Sequence, residues 1–566
     1  MQLPILLQLR LVFQIGETMT MEMRRRDLLG ALIAAPLTRA ALLSAGAGSL
    51  VPLLLSEAEA ANTALTSLST GNLNDFYYGT QNSVSKKFNS IGIVNVKDFG
   101  ATGDGTTNDA AAIQAAVNWN SLVATASTAV GTKVLHFADV PANFFARMGN
   151  VIAVYNETNP ASIVSAIVAS FTSTSVTLDV NVIEQVDIGD RIFFGREKGE
   201  IHFPPGKYFV NTTSINLEAG GSSQNWIISG DGALITGTVN GYVLDFNGQG
   251  VSHAQRVIRD LKITNLHTTA GGAIRLGGAI NFLIENCDVT GFVGINTLGA
   301  GGASQTSRIV NCNFTRSGNS TDTCGINAAS DKLTIDTCDF NNAWGRGIAA
   351  YGTQCNIINC RFEVNTIAIA LGTDFVGGAQ SLLGFTIIGC GWESNLTGID
   401  CINAGQGAVI SGQLQGFEGA GPGAANPAYG VRIRAGGGLT KTAFIGLNVG
   451  GQMATASWSV GDASSNPANI QFITCTASNA STVGGVTWSL PAKAITAEFI
   501  NCLDADTNTY IDPQYTFANR PVNPNIGKTC NFSDSTTATW GATITGTGSN
   551  KVLGRWNGTN WTVVGI

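Results

Sequence analysis

Ile284-Glu285-Asn286-Cys287-Asp288-Val289 returns along this chain as Ile309-Val310-Asn311-Cys312-Asn313-Phe314, Ile335-Asp336-Thr337-Cys338-Asp339-Phe340, Ile357-Ile358-Asn359-Cys360-Arg361-Phe362 and Ile387-Ile388-Gly389-Cys390-Gly391-Trp392. The cysteines step by 25, 26, 22 and 30 residues, and weaker copies follow at Phe472-Ile473-Thr474-Cys475 and Phe499-Ile500-Asn501-Cys502. A step of that size suits one solenoid coil of three short strands. Isoleucine, cysteine and the aromatic two residues later are then inward positions, stacked so that neighbouring coils bury what no single coil can. The Asn, Thr or Gly before each cysteine falls where the chain turns. Asn and Gly accept left-handed geometry there, and asparagine amides can hydrogen-bond along the stack. A second strand in each coil is marked by Gly294-Ile295, Gly325-Ile326, Gly347-Ile348, Ala368-Ile369, Gly398-Ile399 and Gly430-Val431. The residue after each pair faces outward, giving a column of Asn296, Asn327, Ala349, Ala370, Asp400 and Arg432. The pattern predicts an all-β chain built on a right-handed parallel β-helix, clearest from Asn265 to Asp506.

Composition agrees with many short strands and tight turns. Charged residues are 12% of the 566, and glycine numbers 69. The formal net charge of -7 provides no basic field, so nucleic acid is not an expected partner. The 11 cysteines are odd in number and mostly spaced as a repeat, which argues against a disulfide framework. His136, His202, His253 and His267 all precede the clear repeats, so no Cys/His zinc site is visible. At the N-terminus, Arg24-Arg25-Arg26-Asp27-Leu28-Leu29 leads into an apolar stretch reaching Leu55, and Ala58-Glu59-Ala60 follows. This resembles a twin-arginine export signal cut after Ala60, which implies a periplasmic or secreted protein with no membrane span after cleavage.

Ile93-Val94-Asn95-Val96-Lys97-Asp98-Phe99-Gly100-Ala101-Thr102-Gly103-Asp104-Gly105-Thr106-Thr107-Asn108-Asp109 precedes a helical apolar pattern from Ala110 to Trp119. A strand, a glycine-rich turn and an aspartate-capped helix fit this order, with the helix closing one end of the solenoid. Phe203-Pro204-Pro205-Gly206-Lys207-Tyr208 comes later. The two motifs in this order resemble the pectate lyase superfamily, which includes rhamnogalacturonase- and epimerase-like and phage tailspike-like β-helices. The resemblance implies the right-handed parallel β-helix and a polysaccharide partner. Residues 120–203 are a longer separation than the superfamily pattern has. The expected organisation is a signal peptide at 1–60, a polar linker at 61–90, the opening motif and helix at 91–129, an inserted β-rich subdomain at 130–200, the β-helix at 201–515 and a C-terminal β module at 516–566. That module holds Trp540, Trp556 and Trp561 and a turn at Asn557-Gly558; capping, sugar binding and oligomerisation are its open roles, so monomer and homotrimer both stand.

The chemistry is sought on the outward strand column and the segment before it, where the resemblance places the groove. Glu363 and Glu393 each lie three residues after a repeat cysteine, so they are expected about 5 Å apart on adjacent coils, with Asp400 following. Carboxylates that close suit acid/base or nucleophile roles at a glycosidic bond. Trp344, Arg346, Tyr351, Arg432 and Arg434 are the candidate substrate-binding residues, by stacking on sugar rings or pairing with uronates. The plainer reading is a solvated face whose charges serve solubility. Asp336 and Asp339 are placed on a different face, while Asp104 and Asp109 are read as turn and helix cap. Polygalacturonases of this superfamily carry a Gly-His-Gly, yet no histidine follows His267. Elimination by an arginine, lysine or tyrosine base stays open. No cofactor is implied, and calcium finds no clear aspartate cluster. The leading expectation is a polysaccharide-cleaving enzyme, hydrolase ahead of lyase; the alternatives are a non-catalytic glycan-binding, adhesin-like or tailspike-like solenoid and a purely structural surface protein.

Overall fold

The computed structural model describes residues 93–566 except 141–150, 157–162, 195–196, 218–224, 248–255, 300–301, 317–322, 343–344, 379, 418, 435–439, 461–467, 480–484, 490–497, 512–513, 521–523 and 525. The expected signal peptide and linker lie outside these residues. Among the described residues no helix is long and apolar enough to cross a membrane.

Each coil contributes three short strands. One runs through Leu333–Asp336, Asp339–Asn341 and Arg346–Gly352, and the next through Cys355–Ile358, Arg361–Glu363 and Ile367–Leu371. Every strand pairs in parallel with its counterpart one coil on, in the register Ile335↔Ile357, Phe340↔Phe362 and Ile348↔Ile369. The repeat residues form the core: Ile335, Cys338, Phe340 and Ile348 are all at most 2% exposed. Phe314, Phe340 and Phe362 stack face to face at 4.6 and 4.8 Å, and Trp392 continues the pile at 6.0 Å. Asn286, Asn311, Thr337, Asn359 and Gly389, each just before a cysteine, have φ between 51° and 64°. The turn is therefore left-handed, which is why asparagine and glycine recur there. The asparagine ladder forms only where asparagines are consecutive: Asn311 Nδ2 donates to Asn286 Oδ1 at 2.7 Å.

All 11 cysteines are buried, and none is joined in a disulfide. The thiols of Cys312, Cys338, Cys360 and Cys390 point at the carbonyl of an isoleucine in the preceding coil, at 3.7–3.9 Å. Burial pushes the Cys355 thiol up to about 12, so it carries almost no reactive thiolate at neutral pH. A thiol reagent is expected to label none of them in the folded protein and all 11 after denaturation. Fast native labelling of a repeat cysteine would contradict this core.

The opening motif and the Pro-Pro-Gly motif meet in space. Lys207 N donates to Gly103 O at 2.9 Å, and the Tyr208 ring lies against Gly103, whose φ is +67°. A β-carbon on Gly103 would come within 3.0 Å of that ring, so the turn requires glycine in both conformation and space. Tyr208 is fully buried and donates to Pro204 O. The helix occupies Ala110–Val117. Asp109 does not cap it with its side chain as expected. Its buried carboxylate instead accepts from Thr102 N at 2.7 Å, Thr102 Oγ1 at 3.0 Å and Gly103 N at 3.2 Å, because the glycine turn folds back over it. Asp104 holds the turn as expected: the Thr107 amide and hydroxyl, with the Thr106 amide, keep its carboxyl well below the usual range.

Between the helix and Glu197 the chain forms a separate six-stranded antiparallel sheet over residues 121–194, with its own core around Leu135, Phe137, Val176 and Phe194. The C-terminal strands Gln514–Tyr515, Thr529–Ser535, Asn550–Trp556 and Trp561–Gly565 make another sheet. Trp561 is buried there, while Trp540 is 71% exposed. Lys528 reaches the last coils through an ion pair to Glu498 at 3.4 Å.

Candidate functional site

Glu363 and Glu393 close two strands that follow repeat cysteines. Left-handed Asn359 and Gly389 start these strands, and Phe362 and Trp392 point inward, so the residues on either side point out. The register pairs Arg361 with Gly391, Phe362 with Trp392 and Glu363 with Glu393. The two carboxylates are thus one coil apart, a backbone separation of about 4.8 Å. Arg361, which sequence reasoning passed over, lies between them: its guanidinium is 2.7 Å from Glu363 and 3.9 Å from Glu393. The positive charge offsets the repulsion of the pair. A β-carbon built on Gly391 would meet nothing within 4 Å, which leaves space opposite the arginine. All three side chains reach solvent, with 54% of Arg361, 33% of Glu363 and 47% of Glu393 exposed.

The turn after the glutamates is clamped. Val364 and Ser394 have φ of 56° and 52°, a strained conformation for a β-branched valine. Buried Asn365 and Asn395 hold it: the Asn365 amide nitrogens donate to Asn395 Oδ1 at 2.8 and 3.0 Å, and Asn395 Nδ2 donates to Phe362 O at 3.0 Å. This fixes the backbone next to both carboxylates.

Asp400 does not join them. It lies on the next strand, Thr397–Cys401, beyond that turn, and is 1% exposed. Arg434 grips it with two bonds, Nε to Oδ1 at 2.9 Å and Nη2 to Oδ2 at 2.5 Å, and the bonds raise the already high Arg434 pKa. Among the described residues no group of three or more His, Cys, Asp or Glu is close enough to share a metal ion.

The outward strand column and the segment before it, taken together in the sequence as one place for chemistry, are therefore two faces. Its backbone column is continuous, Asn296↔Asn327↔Ala349↔Ala370↔Asp400↔Arg432, yet the first five of these residues are at most 8% exposed. Cross-coil bonds engage the polar residues of this column and their neighbours. Asn296 donates to Tyr242 Oη, Asn327 donates to Asn296 Oδ1 and Tyr351 Oη, and Arg346 Nη1 donates to Phe375 O beyond the strand end. Arg432 lies over the Tyr429 ring at 4.9 Å. Burial pushes the Tyr351 hydroxyl up to about 12, which makes it a poor proton acceptor for elimination near neutral pH. Trp344 lies outside the described residues.

Asp339, placed by sequence on a different face, is in the face of the glutamates. Left-handed Thr337 turns the chain before it, and Asp339 pairs in register with Arg361, as Asn341 does with Glu363. The signal was available: both follow Cys338 at the same offsets at which Arg361 and Glu363 follow Cys360.

A family model described as rhamnogalacturonase A/epimerase, pectate lyase-like, matches residues 93–139. No curated protein matches the chain. Among solved structures, the surface adhesin PfbA of Streptococcus pneumoniae is 10% identical over 73% of this chain and 89% of its own, with a TM-score of 0.40. Tailspike protein 3 of bacteriophage CBA120 is 12% identical over 90% and 76%, at 0.38. The catalytic unit of an α-1,3-glucanase from Streptomyces thermodiastaticus is 12% identical over 69% and 90%, at 0.32. The opening segment, residues 93–139, is thus similar to a pectate lyase-like family, and the coils stacked behind it form a parallel β-helix.

Proposed function

We propose that this chain is an exported polysaccharide hydrolase whose reacting pair is Glu363 and Glu393. The observation that carries the reading is their register pairing on adjacent coils, with Arg361 across both. An inter-coil step of about 4.8 Å is close to the separation of about 5–5.5 Å that carboxyl groups need for hydrolysis with retention. Glu363, anchored by the tighter ion pair, is assigned the nucleophile, and Glu393 the acid. Glu393 protonates the departing glycosidic oxygen as Glu363 bonds to the anomeric carbon. Glu393 then takes a proton from the water that breaks the resulting ester. Export through the 1–60 segment belongs to the same proposal, as does the choice between monomer and homotrimer, which light scattering on the purified chain decides.

A non-catalytic glycan-binding solenoid is the second reading, favoured by the openness of this face. Release of reducing ends from a panel of plant and bacterial polysaccharides tests between them. Retention without product supports binding alone, and products absorbing as unsaturated uronates support a lyase.

On this assignment the Asp400–Arg434 pair holds its strip together. Asp400→Asn weakens a buried charge-assisted bond and is expected to cost about 1–3 kcal/mol, read as a lower denaturation midpoint, with turnover largely kept. Loss of turnover at unchanged stability would move the reaction to that strip.

A further inference from the structure

We infer that the glycan taken by this face is neutral and rich in hydroxyl groups, not a polyuronate; the inference rests on the proposed reading that the face of Glu363 and Glu393 is where the glycan binds. Two outward columns surround that pair. One runs in register Lys262↔Asp288↔Asn313↔Asp339↔Arg361, and the other Thr315↔Asn341↔Glu363↔Glu393↔Gln415. Their cations are Lys262 and Arg361, and both are engaged within the face: Lys262 is 3.2 Å from Asp288, and Arg361 lies on the glutamates. Against these two stand four acidic side chains, Asp288, Asp339, Glu363 and Glu393, of which Glu393 holds the proton it donates. A polyuronate brings a carboxylate on every sugar and would meet columns in which acidic groups outnumber the cations, both of which already share their charge with acidic neighbours.

The same columns lack donors in a way that hydroxyl groups supply. Asn313 Oδ1, Asp339 Oδ1 and Asn341 Oδ1 have no hydrogen-bond partner within the protein; all three residues are half-buried, and each oxygen comes within reach of a hydroxyl once its side chain turns outward. Asn313 and Asp339 are register neighbours on adjacent coils, and Asn341 stands two residues beyond Asp339 on the same face. Both carboxylate oxygens of Asp339 are acceptors, so it calls for a donor in either orientation. A sugar hydroxyl is a donor that can still accept a bond in turn. The arginines expected to hold uronates lie on the other face, where Arg434 is bound by Asp400 and Arg432 lies over Tyr429.

The test is retention of the full chain by immobilised neutral polysaccharides, a β-glucan and a galactomannan, against polygalacturonate and alginate, at about 0.01 and 1 M salt. The expected result is retention by a neutral glycan that salt hardly changes, with the polyuronates at least about tenfold weaker. Asp339→Ala should weaken neutral binding about tenfold, while Asp339→Asn, which keeps one acceptor oxygen and the shape, loses much less. Tighter, salt-sensitive binding of a polyuronate overturns the inference, as does the absence of retention by every neutral glycan tested. A neutral glycan retained but never cut leaves it standing and removes the hydrolase reading. A polyuronate hydrolysed only when both glutamates are present does the reverse.

Discussion

Glu363→Gln is expected to lower kcat/KM for polysaccharide hydrolysis by about 10²–10⁴, and Glu393→Gln by a similar factor. Both substitutions keep the shape of the side chain and remove only the ability to attack or to move a proton. Neither touches the core, since Phe362 and Trp392 supply the inward contacts of these strands. The two variants should separate on a substrate whose leaving group needs no proton. There the acid is dispensable, so Glu393→Gln recovers most of the rate while Glu363→Gln does not. Arg361→Met tests the assignment from another side, because it removes the charge between the carboxylates and should shift the pH profile as well as the rate. If reducing-end release is unchanged in both glutamine variants, the pair is a solvated ladder face and the chemistry lies elsewhere or is absent.

What the sequence disclosed and what it hid follow a physical line. Inward positions repeat because each must fill the same space in every coil, so Ile335, Cys338 and Phe340 announced their stack by spacing alone. The register that brings Glu363 opposite Glu393 follows from the same count. Outward positions carry no such constraint. Ala349 and Asp400 face away from the core in the pattern, yet both are at most 1% exposed, and Asp400 is held there by a partner distant in sequence, Arg434. Asp339 was misplaced for another reason: its offset from Cys338, the same as that of Arg361 from Cys360, was legible, and the turn at Thr337 was read instead as a change of face. Asp109 shows the local version: a helix-cap signal was present, and a glycine turn took the carboxylate instead.

Phe340→Ala is expected to be the most destabilising of these substitutions, at about 3–5 kcal/mol. The ring is fully buried and sandwiched between Phe314 at 4.6 Å and Phe362 at 4.8 Å, so truncation leaves a gap with aromatic faces above and below. Coils on either side cannot close that gap, because their spacing is held by parallel backbone pairing, Asn313↔Asp339 on one side and Asp339↔Arg361 on the other. In a solenoid each coil is stabilised by its neighbours, so the loss should weaken coupling between the coils before and after Phe340 as well as the coil itself. Guanidinium denaturation of the full chain should then show an earlier midpoint, together with a broader transition or a second step if the array comes apart at that coil. The neighbouring Glu363→Gln, on the outward side of the same stack, should leave the midpoint almost unmoved. Equal shifts in the two variants would mean that the aromatic pile does not hold the coils together, and the assignment of inward and outward positions that locates the candidate site would fail with it.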